Sequence, residues 1–165
     1  MKCIVAVDNI FGIGKGNDLL FHIPADLKKF KEITTGKVVV MGKNTLLSLP
    51  NQQPLPNRTN IVLSTTLHRD DCVICPSLTD LWKVLNSYNS DDIIVIGGEK
   101  VYKQLLPHCT TAYVTKVCAQ ESATCFFPNI DLMDNWYLTN KSPKQSYNNL
   151  EYYFCKYKNN DVLGK

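Results

Sequence analysis

Ile93-Ile-Val-Ile-Gly-Gly-Glu-Lys-Val-Tyr102 is a run of four apolar residues followed by two glycines and a segment suited to a helix. Short, continuous Val/Ile runs are typical of strands that are buried on both faces of a parallel sheet. Because Gly97 and Gly98 lack Cβ atoms, a ligand can approach their backbone, and the free N–H groups of a following helix favour phosphate oxygens. The run predicts either a tight strand-to-helix turn or a nucleotide phosphate site, and it is not the G-x-G-x-x-G dinucleotide fingerprint.

A second strand with the same kind of ending lies earlier in the chain. Residues Lys37 to Met41 precede Gly42-Lys43-Asn44-Thr45, which is again a glycine followed by a helix start, now with a cation. Two such ends that face each other would hold both halves of a dinucleotide. In that arrangement Lys43 could meet a 2′-phosphate, which favours the functional interpretation of both glycine stretches.

Apolar runs and turn residues predict eight strands and four helices. The strands are expected near residues 2–8, 37–41, 58–64, 72–75, 92–96, 111–118, 135–141 and 150–158. The helices are expected from Pro24 to Gly36, from Asn44 or Thr45 through Leu49, from Leu78 to Tyr88 after a Ser77 cap, and from Glu99 to Leu106. This alternation indicates an α/β fold, with an eight-stranded mostly parallel sheet, four flanking helices and a C-terminal antiparallel hairpin strand. Ligands of such sheets bind at the carboxyl ends of the strands.

The chain has 165 residues, 44% of them hydrophobic, and a formal net charge of +3. This length favours a single domain over residues 1–165, and this charge is too small to indicate nucleic-acid binding. The longest apolar runs are far shorter than the roughly 20 residues that cross a bilayer, which argues against a membrane protein. The N-terminus lacks the apolar region of a secretion signal, so we expect a cytoplasmic protein.

Seven cysteines at scattered positions indicate reduced thiols rather than a disulfide framework. Cys72 and Cys75 have the C-x-x-C spacing of half a zinc site or a redox pair. No second such pair follows, and the three histidines stand apart from one another. We therefore expect no metal, and we interpret the pair as small apolar side chains packed on a strand.

Asp26 is the strongest candidate for chemistry, because it stands in the first turn of a predicted helix, after the apolar Leu19-Leu-Phe21. An aspartate at a helix start is commonly a surface residue favoured by the helix dipole. If the side chain faces inward instead, burial raises its pKa, and a heterocycle with two adjacent N–H donors would satisfy it. The periodicity of the helix leaves both orientations open.

Two further segments admit both a structural and a functional interpretation. Arg58 follows Pro54-Leu-Pro-Asn57 at a strand start and is either a surface arginine or a bidentate clamp for a carboxylate. The stretch from Gly12 to Asp18 is rich in glycine but lacks the full G-x-x-x-x-G-K-[ST] phosphate-loop pattern. We therefore interpret it as a mobile lid.

Several motifs, in this order, resemble the dihydrofolate reductase family from Cys3 to about Lys158. They are Ile4-Val-Ala-Val7, Gly12-Ile-Gly14, Pro24-Ala-Asp26-Leu-Lys-Lys-Phe30, Val40-Met-Gly-Lys-Asn-Thr45, Pro54-Leu-Pro-Asn-Arg58, Ile96-Gly-Gly98 and Tyr113-Val-Thr115. The resemblance implies NADPH-dependent reduction of 7,8-dihydrofolate to 5,6,7,8-tetrahydrofolate, which supplies one-carbon metabolism. It also implies a cis peptide bond between Gly97 and Gly98.

The resemblance assigns roles to residues at the matching positions. The implied catalytic residues are Asp26, Phe21 and Thr115. The implied substrate-binding residues are Ile4, Val5, Asp26, Leu27, Phe30, Leu49, Leu55, Arg58, Ile96 and Thr115. The implied cofactor-binding residues are Ala6, Ile13, Gly14, Lys43, Asn44, Thr45, Ser64, Thr65, Ile96, Gly97, Gly98, Glu99, Lys100, Val101 and Tyr102. Among these, Asp26 would bind pterin N3 and the 2-amino group, and Arg58 would hold the glutamate α-carboxylate.

Two positions depart from the family pattern. Phe21 stands where most members carry Trp, so the indole N–H that holds a water beside the acid and pterin is missing. Leu20 stands where Pro is usual, which would loosen the lid from Gly12 to Phe21. We expect Asp26 to orient the pterin while water delivers the proton to pterin N5 under this lid.

Two alternative functions remain open at this point. One is a pyrimidine reductase of riboflavin biosynthesis, and the other is a non-catalytic nucleotide-binding module of the same fold. Asp26 and Arg58, which suit a pterin and a glutamate, favour dihydrofolate reduction over both. The expected partners are NADPH, dihydrofolate and diaminopyrimidine or methotrexate-type inhibitors, with no nucleic acid or membrane, and the expected state is a monomer.

Overall fold

Twelve strands and four α-helices lie within residues 1–164, the part of the chain that the computed structural model describes. The strands are β1 (Lys2–Val7), β2 (Gly12–Lys15), β3 (Asp18–Leu19), β4 (Val38–Gly42), β5 (Thr59–Leu63), β6 (Val73–Cys75), β7 (Ile93–Gly97), β8 (Thr111–Val117), β9 (Cys125–Phe126), β10 (Trp136–Lys141), β11 (Gln145–Tyr147) and β12 (Leu150–Asn159). The helices are α1 (Pro24–Thr34), α2 (Lys43–Ser48), α3 (Leu78–Leu85) and α4 (Glu99–Leu105). Short 3-10 turns lie at Pro50–Gln52, Ser90–Asp92, Leu106–His108 and Ile130–Leu132.

The large sheet has the strand order β10-β12-β8-β1-β7-β4-β5-β6. Neighbours from β8 to β6 in this order are parallel, and β12 is antiparallel to both β8 and β10. The prediction of an eight-stranded, mostly parallel sheet with a C-terminal antiparallel strand is therefore confirmed. Because β1, β4 and β7 are adjacent and parallel, their carboxyl ends meet at one edge.

Three short strands form a second sheet that the sequence did not predict, in the order β3-β2-β9. The stretch from Gly12 to Asp18, interpreted as a mobile lid, is for the most part the hairpin of β2 and β3, with β2 also paired to β9. Its mobility stays a prediction. Strand β11, which pairs with β12, was also missed. Strands of two to four residues are too short to show a period in the sequence, which explains the misses.

The two faces of the large sheet bury different clusters. Side chains at alternate positions of β1, including Cys3, Val5 and Val7, join the main core with residues of α3 and α4. Val39 and Met41 of β4 pack on the other face with Leu46 of α2. The face with α1 and α2 is the face on which the candidate site lies.

The helix termini follow the predicted signals in two cases and not in a third. Ser77 caps α3 through its side chain, which accepts a hydrogen bond from the Asp80 N–H. Pro24 opens α1, and Gly36 (φ +77°) follows its end. Helix α2, however, starts at Lys43 with Gly42 as its N-cap, not at Asn44 or Thr45, because β4 runs directly into the helix.

Cys75 matches its predicted role as a packed side chain on a strand, whereas Cys72 lies just before β6 and is only half-buried. Cys75 is 1% exposed in the main core, and Cys72 packs against the cluster around Val39. All seven cysteines are free, and no group of three or more potential metal ligands lies within residues 1–164. No helix in this range is long and apolar enough to cross a membrane.

Candidate active site

Asp26 faces the sheet, which settles the orientation that the sequence left open. It lies in the first turn of α1, where its backbone N–H donates to the Ile23 carbonyl at 3.0 Å. Its carboxylate accepts a hydrogen bond from the Thr115 hydroxyl on β8 at 2.6 Å. The predicted proximity of Asp26 and Thr115 is therefore present in the structure.

Burial shapes the acidity of Asp26. Removal from water raises the pKa of its carboxyl group, while the Thr115 hydroxyl and the positive charge of Lys29 both act to lower that pKa. The desolvation effect is the largest, so the carboxyl group holds a proton more readily than an ordinary aspartate. A carboxylate of this kind suits a ligand that presents N–H donors and can share a proton.

Tyr102 links the centre of the sheet to α4. Its buried hydroxyl donates to the Ile4 carbonyl on β1 at 2.7 Å. Burial raises the pKa of this phenol well above its ordinary value, so it stays neutral and acts as a donor. The Ile4 side chain lines a small cavity with Asp26 and Thr115, which places β1 beside the acid.

Three glycines form the meeting point of β4 and β7. The Gly97–Gly98 peptide bond is cis, as expected, and Gly97 has φ +127°. A Cβ atom at Gly97 would lie 3.3 Å from the Tyr102 ring, and one at Gly42 would lie 3.2 Å from Val101 and 4.0 Å from the Gly98 nitrogen. At Gly97 the positive φ favours glycine, while at Gly42 a side chain would crowd Val101, and the result is an edge lined by backbone, of the kind that a dinucleotide pyrophosphate needs.

Polar side chains surround this glycine edge. The Thr45 hydroxyl lies 3.4 Å from the position that a Gly98 Cβ would take. The Lys43 ammonium donates to the Thr66 hydroxyl at 3.1 Å, at the exposed end of the site. Ser64 follows β5 and accepts from the Thr66 and Leu67 N–H groups. These groups could hold a nucleotide, so the residues present fit the implied cofactor.

Several residues to which the resemblance assigns cofactor binding have surroundings other than the glycine edge. The Glu99 carboxylate accepts from the Phe126 N–H at 3.1 Å and lies 3.7 Å from Lys103, so it is engaged away from the glycines. Ile13 and Val101 are buried in the main core. Asn44, Thr65 and Lys100 are exposed, whereas Ala6 lies on β1 opposite Thr115 and Gly14 lies on β2 opposite Leu19.

Arg58 is anchored rather than free. One guanidinium nitrogen, Nη1, donates to the Thr34 hydroxyl at the end of α1 at 3.0 Å, and Nε donates to the Pro56 carbonyl at 2.8 Å. Within residues 1–164, no protein group accepts from Nη2. The side chain is therefore held in place with donors left for an anion.

The apolar wall of the site comes from three elements. Leu49, Leu55 and Ile96 pack against the cluster of Val39, Met41, Leu46 and Val62. Leu27 is 50% exposed on α1, and Phe30 is half-buried, so both have surface left to contact a ligand. The Val5 side chain is the exception, because it packs into the core on the opposite face of the sheet. Its implied packing against the pterin ring is wrong for the side chain, and only its backbone reaches the site face.

Phe21 lies at the end of the site near β8 and β12. It packs against the cluster of Ile23, Val117 and Tyr152, alongside Phe154. The ring offers no donor, so the polar function of an indole at this position is absent.

Two charged residues of this region were not singled out from the sequence. Asp8, 3% exposed, accepts from backbone N–H groups at the base of the β2–β3 hairpin, and its position just after a strand is a turn signal that could have found it. Lys29 stands three residues after Asp26 on α1, a spacing that puts both on one helix face.

The sequence of the chain is similar to those of known proteins. The family model described as dihydrofolate reductase matches residues 1–159. The dihydrofolate reductase of Bacillus subtilis is 35% identical over 98% of this chain and 96% of its own length. That of Haemophilus influenzae is 39% identical over 75% of this chain and 73% of its own.

A solved structure agrees with the sequence relatives. Dihydrofolate reductase from Enterococcus faecalis, complexed with NADP(H) and RAB-propyl, superposes with a TM-score of 0.86 at 31% identity. The match covers 97% of this chain and 96% of that one. With this fold, the inward-facing Asp26 and the glycine edge, the chain belongs to the dihydrofolate reductase family.

Proposed function

We propose that the protein reduces 7,8-dihydrofolate to 5,6,7,8-tetrahydrofolate with NADPH as the reductant. The observation that carries this proposal is the half-buried Asp26 carboxylate, hydrogen-bonded to Thr115 and close to the glycine edge of β4 and β7. A flat ring with adjacent N–H donors matches the carboxylate, and a nucleotide matches the edge. Thr115 on β8 and Gly97 at the end of β7 lie on the two strands that flank β1 in one sheet, an arrangement that favours reaction between two bound molecules.

The chain's own residues would bind the substrate at both ends. Asp26 would accept from pterin N3 and the 2-amino group, using carboxylate lone pairs that Thr115 leaves free. Arg58, fixed by Thr34 and Pro56, would hold the glutamate α-carboxylate through its remaining donors. Leu27, Phe30, Leu49, Leu55 and Ile96 would pack against the rings between these two ends.

The glycine edge would hold NADPH. Gly42, Gly97 and Gly98 would present backbone to the pyrophosphate, and Lys43 would meet the 2′-phosphate. When bound, NADPH supplies a hydride to pterin C6. Ala6, Gly14, Asn44, Thr45, Ser64 and Thr65 would complete this binding surface.

Asp26 would act on the proton that the reaction consumes. Its raised pKa lets the carboxyl group and the bound pterin share a proton more readily than an ordinary aspartate would. Asp26 would orient the ring and favour the form that is protonated at N5, while water delivers the proton under the β2–β3 hairpin. Thr115 would fix the carboxylate in the required orientation.

The proposal extends to assembly and inhibition. We propose that the protein acts as a monomer over one domain and that diaminopyrimidine or methotrexate-type molecules compete with dihydrofolate. A diaminopyrimidine presents the same adjacent donors to Asp26 as the pterin.

Loss of NADPH absorbance on addition of dihydrofolate tests the function. We expect turnover that a diaminopyrimidine antifolate suppresses in competition with dihydrofolate. An aminopyrimidine substrate of riboflavin biosynthesis, assayed in parallel, should give no turnover. Turnover with that substrate alone would identify a pyrimidine reductase, and NADPH binding without turnover on either substrate would identify a non-catalytic module.

A further inference from the structure

Lys29 is held next to the acid by an aromatic ring. It follows Asp26 by three residues on α1, so both side chains lie on the helix face that meets the sheet. The Lys29 ammonium lies 4.4 Å from the centroid of the Phe154 ring on β12. Attraction between a cation and a ring face keeps the ammonium there, although a lysine on a helix surface would otherwise extend into water.

Lys29 and Asp26 share a small cavity. The cavity has a volume of about 10 Å³, and its lining includes Thr115, Tyr113 and Phe154 as well. One water needs roughly 10 to 15 Å³, so this cavity admits one water at most. Because the Asp26 carboxylate is largely removed from water, its attraction to the Lys29 charge is screened less than that of a fully exposed pair.

Lys29 is the cation that acts on Asp26 here. Tyr113 on β8 and Cys155 on β12 also line the cavity. Lys156 on β12 lies near the Tyr113 ring, and Tyr102 on α4 interacts electrostatically with Asp26. Burial raises the pKa of both Cys155 and Tyr102, so these groups stay neutral. The Lys156 ammonium lies 5.8 Å from the Tyr113 ring and does not contribute to the pKa of Asp26, whereas the Lys29 charge lowers it.

We propose that Lys29 is a positioning residue that keeps the Asp26 carboxylate ionised across this cavity and thereby sets the pH range of the reaction. The proposal rests on the proposed function, in which Asp26 and the bound pterin take up one proton. The rate of such a reaction falls as the pH rises through the apparent pKa of that pair. A nearby cation makes the proton leave at lower pH, so Lys29 moves the alkaline limit of activity downward.

The Lys29 ammonium is important because Phe21 stands where most family members carry Trp. Phe21 brings no N–H to the acid, and it packs in the same cluster as Phe154, the ring that holds Lys29. The ammonium is thus a charged N–H donor at the wall of the cavity beside Asp26.

The pH profile of kcat/KM for dihydrofolate tests the proposal with Lys29→Met. We expect the alkaline limb to move upward by roughly 0.5 to 1 pH unit, as for loss of an opposite charge near a carboxylate. Lys28→Met is the matched control, because Lys28 is exposed and faces Glu32 at 4.0 Å on the same helix. Lys28→Met and Lys29→Arg should both keep the wild-type profile.

A second measurement separates this proposal from the proposed function. The titration of the Asp26 carboxyl carbon, followed by NMR in the wild type and in Lys29→Met, needs no turnover. An upward shift of the midpoint in Lys29→Met, absent in Lys28→Met, supports the role of Lys29 even if dihydrofolate proves not to be the substrate. Equal midpoints in all three proteins overturn it, and so does a pH profile of Lys29→Met that coincides with that of Lys28→Met.

Discussion

Asp8 and Asp26 stand at the two ends of the segment that contains the β2–β3 hairpin. Their carboxylates differ in the number and kind of hydrogen bonds that they accept. Asp8 accepts three backbone N–H groups, from Ile10 at 3.0 Å, Gly12 at 2.7 Å and Glu121 at 3.1 Å. Asp26 accepts one side-chain hydrogen bond, from Thr115. A carboxylate has about four acceptor positions, so Asp8 is nearly saturated by the protein while Asp26 keeps positions for a ligand.

The difference indicates that Asp8 has a structural role, whereas Asp26 is available to a ligand. The Asp8 donors come from the turn before β2 and from the loop that leads to β9, so this carboxylate ties together the two segments that form the small sheet. Asp26 instead retains unsatisfied acceptor capacity at partial burial, which costs folding free energy and is a common property of functional sites. Substitutions at the two positions should therefore affect different measurements.

Asp26→Asn should produce the largest effect, which is on catalysis. The amide keeps the shape and the hydrogen bond from Thr115 but cannot accept from both N3 and the 2-amino group or share a proton. We expect kcat/KM at neutral pH to fall roughly 10²- to 10⁴-fold, the usual range for loss of acid–base assistance. NADPH affinity, measured by fluorescence titration, should stay unchanged. An unchanged rate would remove Asp26 from the mechanism.

Asp8→Ala should act mainly on stability. It leaves three backbone N–H groups without their acceptor, two of them near the base of the hairpin, and each buried orphan donor costs about 1 to 3 kcal/mol. Since water would reach the part-buried donors, we expect a total loss of about 3 kcal/mol, seen as a lower urea midpoint. Asp26→Ala, the matched substitution, should lose far less. Equal losses at both positions would contradict the distinction between them.

The stability of Asp26→Asn should depend on pH. The folded-state pKa of Asp26 is raised, so this group stabilises the fold most at low pH, and that contribution is lost as the pH rises through the folded value. Near neutral pH the asparagine variant should therefore be more stable than the wild type. Urea unfolding of the ligand-free proteins at neutral and acidic pH would show this gain shrinking in acid. A gain that is independent of pH would argue against burial as the cause.

Phe21→Trp should have the smallest effect. The indole would bring an N–H donor to the end of the site near Asp26, whereas nothing comparable changes around Asp8. We expect turnover to change by several-fold and NADPH affinity to change less, because Phe21 packs near β8 and β12 rather than at the glycine edge. Steady-state kinetics and NADPH titration would compare the two. Equal changes in both would count against a role for this position in water organisation.

The large sheet could be predicted because its signals are local. Continuous Val/Ile runs such as Val38–Met41 and Ile93–Ile96 identify strands by themselves, and Gly42 and Gly97 end two of them. The β3 and β9 strands have two residues each and form by pairing with β2, which is adjacent to β3 in the chain but distant from β9. Nothing in a two-residue segment signals such pairing.

The candidate site could be predicted at positions where the residue type itself indicates the chemistry. Few residue types could replace Asp26, Thr115 and the glycine pair in their proposed roles. Their match to the family motifs was therefore enough to identify them as candidates. The side of the sheet that Val5 faces and the acceptor role of Asp8 depend on register and on loops that meet in space. Lys29 was missed because its partner Phe154 is far along the chain.

The central position of β1 has a consequence for biosynthesis. This strand is made before both of its partners, because Lys2 pairs with Ile94 on one side and Thr111 on the other, and β12 must then cover β8. Both hydrogen-bonding edges of the earliest strand therefore wait, unpaired, for most of translation. Residues of β12 help to line the cavity beside Asp26, so a product truncated before β12 exposes unpaired strand edges and an incomplete candidate site.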